Sequence, residues 1–191
     1  MTSAVSLLRR VLPVIAIAAI VSAPLVVENR FLLKVFTFSG LNALVIVGLA
    51  VLFGYAGQVS LGHAAFVGLG AYTCAVLTVT YDLPWLVAVG VAVTLSAAGG
   101  AVLALPSLRL KGHYLAMATL GFGELATLVF VEAEHVTGGV DGFSGIPFPS
   151  VAGVEVREPA MLYWLVWGAV GVAALATRNL TRLKPGRVMR A

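Results

Sequence analysis

"GYAGQVSLGHAAF", residues 54–66, decides how this chain is read. Apolar runs flank it on both sides, yet it holds Gly54, Gly57 and Gly62, with Gln58, Ser60 and His63 among them. A glycine costs a helix interior about 1 kcal/mol relative to alanine. A buried polar group left unpaired costs roughly 1–3 kcal/mol. The flanks predict membrane helices, and the stretch between them predicts an interruption.

Working outward, the solvent for those flanks is lipid. The chain has 191 residues, 60% hydrophobic and 10% charged, with mean hydropathy +1.03. Soluble domains carry about a quarter charged residues, and no aqueous fold absorbs this excess of apolar surface. A bilayer core about 30 Å thick needs roughly 20 helical residues to cross. Six segments meet or approach that length: 11–27, 35–53, 61–80, 85–106, 114–131 and 159–177. Their apolar runs are too long for strands and do not alternate. The expected fold is an all-α polytopic membrane bundle of about six transmembrane helices. Pro13, Pro24, Pro84 and Pro106 fall in or near span ends, and Pro13 is placed to kink the first span.

Lys and Arg set the orientation. With the N-terminus in the cytoplasm, six crossings place Arg9, Arg10, Arg109, Lys111, Arg178, Arg182, Lys184, Arg187 and Arg190 inside, nine of the twelve basic residues. Arg30, Lys34 and Arg157 fall outside, and Lys34 can snorkel from a helix end. The expected topology is N-in and C-in. The net charge of +4 thus sits where orientation needs it, against anionic lipid, and gives no reason to invoke nucleic acid. "RRVLPVIAIAAIVSAP", residues 9–24, also has the layout of a signal peptide. Cleavage there would leave five spans and the same basic tail inside.

Two readings of 54–63 stay open on residues alone. One is a cytoplasmic hairpin between the second and third spans. The other is a broken helix that dips into protein and restarts near Ser60, capped by Ser60 or Gln58. In lipid, irregular backbone must be shielded by protein or line a wet cavity. His63 suits a hydrogen-bonded structural residue or a ligand-facing one. Glu124 lies near the middle of the fifth span, in "YLAMATLGFGELATLVFV", residues 114–131. A carboxylate there needs pairing, water or a proton, so it is a candidate pathway residue or a structural hydrogen-bonding one. Gly121 and Gly123 beside it allow close helix approach. Thr119 can supply a hydroxyl or bond back to its own helix.

"TGGVDGFSGIP", residues 137–147, makes the long outer connector a turn-rich segment. Its glycine spacing only superficially resembles a phosphate loop, since no strand precedes it and no Gly-Lys-Ser/Thr follows. Cys74 is the only cysteine, which excludes an internal disulfide or a cysteine-rich metal site. With no metal-ligand cluster and no serine nucleophile beside a credible base, the chain does not read as an enzyme.

Together, "GYAGQVSLGHAAFVGLGAYT", "LRLKGHYLAMATLGFGE" and "TGGVDGFSGIP" resemble, in that order, the signature blocks of the permease subunits of branched-chain amino acid ABC importers, of the LivM type. The closing "GRVMRA" resembles the start of that family's ATPase-coupling segment. The resemblance implies a multi-pass permease of the bacterial inner membrane for leucine, isoleucine and valine. Relatives carry urea, amides or other amino acids. It implies as partners a second permease subunit, two cytoplasmic ATP-binding subunits and a periplasmic amino-acid-binding protein. No cofactor of its own is implied, because ATP is used by the partners. Carried onto this chain, it makes Gly54, Gly57, Gln58, Ser60, Gly62, His63 and Glu124 pathway residues. Thr137, Gly138, Gly139, Asp141, Gly142 and Gly145 become a loop facing the binding protein, and Gly186, Arg187 and Arg190 face the ATPase. Family members continue past this point. Residues 1–191 are therefore expected to be the N-terminal portion of a permease domain, unable by itself to transport by an ATP-coupled route. A secondary transporter or channel, or a non-transporting membrane scaffold, is the competing reading.

Overall fold

A computed structural model describes residues 18–27, 29–57, 60–107, 110, 112–151 and 153–182. Helix α1 is described over residues 18–26; the earlier part of the first expected span, with Pro13, lies outside the described residues. The helices that follow are α2 (Arg30–Ala56), α3 (His63–Val79), α4 (Trp85–Ser107), α5 (His113–Glu132), the four-residue α6 (Glu134–Thr137) and α7 (Pro159–Arg182). Four of them are long and apolar enough to cross a bilayer, over Arg30–Gly54, Trp85–Ala104, His113–Glu132 and Pro159–Thr181. Helix is the expected state of such runs, because lipid supplies no partner for a backbone N–H or C=O. Their exposed faces are apolar, as at Phe38, Val102, Leu125 and Val172.

Polar side chains within these helices are satisfied at home. Thr37, Ser39 and Asn42 of α2 donate to the carbonyls of Leu33, Val35 and Phe38. Thr73 and Thr78 of α3, and Thr127 of α5, bond back one turn in the same way. Such bonds let a hydroxyl sit in an apolar helix without an unpaired donor.

The chain divides into two compact units. The first contains residues up to Leu44 together with Arg157–Ala176. Here Val166 and Trp167 of α7 pack against Gly40 of α2, where a Cβ would stand 2.8 Å from Val166 Cγ1. The Trp167 indole N–H donates to the Phe36 carbonyl at 3.3 Å. Tyr163, 1% exposed, donates its hydroxyl to the carbonyl of Ile20 at 2.6 Å. That carbonyl would ordinarily accept from the amide four residues on. The residue there is Pro24, which has no N–H. Tyr163 thus fills the vacancy that Pro24 creates in α1.

The second unit holds the rest of α2 from Val45, with α3 to α6 and the connector to Val156. Helices α3 and α4 form its most extensive helix pair. Small residues permit their approach: Ala75, Ala88 and Ala92 are buried, and a Cβ on Gly99 would touch Leu69 at 3.4 Å. Phe122 and Phe130 of α5 pack on Phe66 and Tyr72 of α3 with ring centroids 5.4 and 4.9 Å apart. The outer connector adds a 3-10 turn at Gly139–Asp141 and a minimal antiparallel hairpin, β1 (Ser150–Val151) with β2 (Val154–Glu155), Ser150 facing Glu155.

On its α3 side the interruption between α2 and α3 packs against the flanks of other helices, as a broken helix does and a surface hairpin does not. Helix α2 runs through Gly54 to Ala56, and Gly57 leaves it at φ +61°, the left-handed conformation glycine supplies at helix C-termini. When the chain is next helical, at His63, it lies inside the unit. The Leu61 N–H donates to the Thr119 hydroxyl at 3.1 Å, and Gly62 is buried against the Thr119 carbonyl. Thr119 is six residues into α5, about 9 Å along its axis. On the other side His63 lies over Gly48, eight residues before the end of α2, or about 12 Å. Two helices thus place the break roughly 9–12 Å inside their ends. This also accounts for the length of α3, which has 17 residues where about 20 are needed to cross: it starts part-way in. One expectation is corrected. The N-cap of α3 is Gly62, with no side-chain cap bond, so Ser60 does not cap it; Gln58 lies outside the described residues. Packing prevails over capping here, because only a residue without a Cβ fits between Leu61 and α5.

Two expectations follow for stability in detergent, measured by thermal or denaturant unfolding. Tyr163→Phe should cost about 1–3 kcal/mol by orphaning the Ile20 carbonyl. Pro24→Ala should reduce that penalty by returning an amide to it, a non-additive double-mutant cycle. Gly62→Ala should cost about 1–3 kcal/mol by overpacking, whereas Gly54→Ala, with nothing within 4 Å of the new methyl, should leave stability unchanged or slightly raised.

Candidate functional site

The break opens onto a cavity of about 250 Å³ within the second unit. Ser60, His63 and Phe66 form one wall. Helix α4 adds Ser96, Gly100, Leu103 and Ala104, α5 adds Leu115 and Thr119, and α2 adds Leu52. The lining is mostly hydrocarbon with a few polar groups, the usual character of a small-molecule site.

Those polar groups differ in what they have left to offer. Thr119 is engaged twice, donating to the Ala116 carbonyl at 3.0 Å and accepting from Leu61 N–H. Ser96 Oγ reaches the Phe66 carbonyl at a long 3.5 Å. Among the described residues, the Ser60 hydroxyl and the His63 imidazole make no hydrogen bond. They line the cavity with donors and acceptors unused. A second cavity of about 410 Å³ lies against the α2 side of the same segment, lined by Val45, Leu49, Leu61, Ala64 and Val67 and again by Ser60 and His63.

Of the residues expected to line a pathway, the structure brings Ser60 and His63 together at these cavities. Gly62 is buried behind them as a packing element. Gly54 is an exposed position within α2, and Gly57 is the exposed turn that ends it. Glu124 is exposed on α5 and belongs to neither cavity lining. Ser96, Leu103 and Leu115 carried no signal in the sequence, since a single serine or leucine in an apolar span resembles any other.

The outer loop divides similarly. Thr137 is 4% exposed, and its hydroxyl donates towards the Phe130 and Ala133 carbonyls at 2.6 and 2.9 Å while accepting from Gly139 N–H. Gly139 is buried with it. Gly138, at φ +78°, has no room for a Cβ against the Gly142 carbonyl. These residues fold the loop. The surface it presents is Asp141, Gly145 and the apolar Val140, Ile146 and Phe148. Gly186, Arg187 and Arg190 lie outside the described residues. Among the described residues, no group of three or more His, Cys, Asp and Glu could hold a metal ion.

Comparison with known proteins agrees with this architecture. Residues 31–191 match the family described as "Branched-chain amino acid transport system / permease component". A stretch of 113 residues, 59% of this chain, is 41% identical to the high-affinity branched-chain amino acid transport system permease protein LivM of Escherichia coli strain K12 and covers 27% of it. The LivM protein of Salmonella typhimurium strain LT2 is 43% identical over 108 residues, 56% of this chain and 25% of that protein. The matched stretch therefore spans about a quarter of these relatives' length. No solved structure matches the chain significantly. With its match running from residue 31 to residue 191, this multi-pass integral membrane protein belongs to the family of branched-chain amino acid transport system permease components.

Proposed function

We propose that the chain forms part of the membrane pathway of an ABC importer for branched-chain amino acids. The observation that carries this reading is the re-entrant break, where Ser60 and His63 face a mostly apolar cavity with unused hydrogen-bonding capacity. A solute with a charged or polar head and a branched aliphatic tail needs both kinds of lining. Leu52, Phe66, Leu103 and Leu115 suit leucine, isoleucine or valine better than urea or a short amide, which would leave apolar walls unmatched. Energy would come from two cytoplasmic ATP-binding subunits. A second permease subunit would complete the path, and a periplasmic amino-acid-binding protein would deliver substrate at the outer loop. Val140, Asp141, Ile146 and Phe148 are among the exposed groups there.

The test is uptake of labelled leucine by cells that depend on this chain, expressed with those partner subunits. Gly100→Phe, which fills the cavity, should lower uptake at least tenfold while membrane insertion and partner co-purification persist. Gly54→Ala should leave uptake within twofold. Unchanged leucine uptake with a filled cavity would refute the pathway, and uptake of urea or an amide in leucine's place would correct the substrate.

A further inference from the structure

The cavity lined by Ser60, His63 and Ser96 is not uniform along the helix axes. Helices α2 and α4 finish, and α5 begins, at one end of the second unit, at Ala56, Ser107 and His113. The short connector 108–112 joins the ends of α4 and α5. The ends of α2 and α5 are nearly level, because Leu61 meets α5 about 9 Å from its end and His63, two residues on, meets α2 about 12 Å from its end.

Measured from that end, the lining falls into layers. Leu115 stands about 3 Å in, Ala104 about 4.5 Å, and Leu52 and Leu103 about 6 Å. None of these carries a polar side chain. Thr119 follows at about 9 Å, His63 beside Gly48 at about 12 Å, and Ser96 at about 16 Å. Phe66 runs alongside the deeper groups: its carbonyl meets Ser96 Oγ, and its ring lies 3.9 Å from where a Cβ on Gly100 would stand.

The two layers suit the two ends of an amino acid. Ser60 and His63 have their hydrogen-bonding capacity free among the described residues, and Ser96 makes only a long bond. Hydroxyls and a neutral imidazole both donate and accept, so together they can meet a carboxylate and an ammonium group. Lying the other way, a solute would press its hydrocarbon on these groups and strip them of water without replacing the bonds. Its charged head would then lie among leucines that offer it nothing.

We propose that the cavity holds its solute in one direction, the head inward on Ser60, His63 and Ser96 and the aliphatic side chain among Leu52, Leu103 and Leu115, and that these three leucines read side-chain size. The inference rests on the pathway reading and adds to it the direction of the solute and the residues that select it.

The experiment uses membrane vesicles carrying the full chain with its partner subunits, while uptake is running. The probe is a leucine analogue with a diazirine at its γ carbon, which on illumination loses N2 and inserts into the nearest side chain. Mass spectrometry then locates the adducts. They should fall on Leu52, Leu103 or Leu115. Adducts on Ser60, His63 and Ser96 that equal or outnumber those on the three leucines overturn the direction. No adduct on any lining residue while uptake continues overturns it together with the pathway reading.

A second measurement compares maximal uptake rates of leucine and valine, each alone at saturating concentration, so that the affinity of a delivering protein does not decide the ratio. Leu103→Phe should lower the leucine-to-valine ratio roughly tenfold, the scale of one methylene in an apolar pocket. Leu52→Phe serves where Leu103→Phe fails to insert. His63→Ala should lower both rates and keep their ratio within about twofold, since both solutes share one head. A merely structural role for Leu103 would slow both solutes alike, and a ratio unmoved by both phenylalanine variants overturns the proposal. In that event Gly100→Phe separates the causes: if it stops uptake, the pathway stands and only the direction fails; if uptake is unchanged, the pathway reading fails as well.

Discussion

Everything in this fold answers to one constraint: within hydrocarbon, each backbone N–H and C=O must find a partner in the protein. Continuous helix meets it automatically. The informative places are those where helix cannot. Pro24 removes the donor that the Ile20 carbonyl expects, and the Tyr163 hydroxyl supplies another from a helix more than a hundred residues away in sequence. At the break, the Leu61 amide has no helical acceptor, and the Thr119 hydroxyl takes it. In both cases a single side chain on a second helix repairs the gap. The repair then ties two helices together with a specificity that apolar packing alone does not provide, because lipid offers no hydrophobic drive for one helix to prefer another.

Glycine does the complementary work. A backbone can be repaired only by a neighbour that comes close, and close approach needs missing side chains. Gly62 lies against the α5 backbone, and Gly40 receives Val166 and Trp167. Not every glycine in a suggestive motif has such a duty. Gly54 stands within α2 with nothing near it, so its presence in the break motif reflects no steric demand within the described residues.

The four long apolar helices were legible because hydropathy and length are summed over many residues, and such sums tolerate local errors. The site of the break was legible too, since three glycines and three polar residues interrupt an apolar run. Its depth was not. Hairpin and re-entrant loop share a composition, and only the contacts of Leu61, Gly62 and His63 with the interiors of α5 and α2 distinguish them. Capping by Ser60 was a sound local inference that lost to packing, because a Cβ-free residue was needed two positions later. In the outer loop, Thr137 was grouped with exposed residues because polar loop residues are mostly exposed. Its burial follows from the turn that brings the Phe130 and Ala133 carbonyls around it.

These observations separate polar groups into kinds that composition does not distinguish. Thr37, Thr73, Thr78 and Thr127 are bonded within their own helices and can be treated as apolar residues. Thr119, Thr137 and Tyr163 are bonded to backbone that needs them and hold the fold. Ser60 and His63 are bonded to nothing among the described residues and line open space. Polar groups left open on a mostly apolar lining are the kind that orient a small solute. Glu124 points outward instead. It stands exposed near the middle of α5 and outside both cavity linings. Hydrocarbon offers no partner to a carboxylate midway along an apolar helix, which sets this position apart from the apolar residues around it.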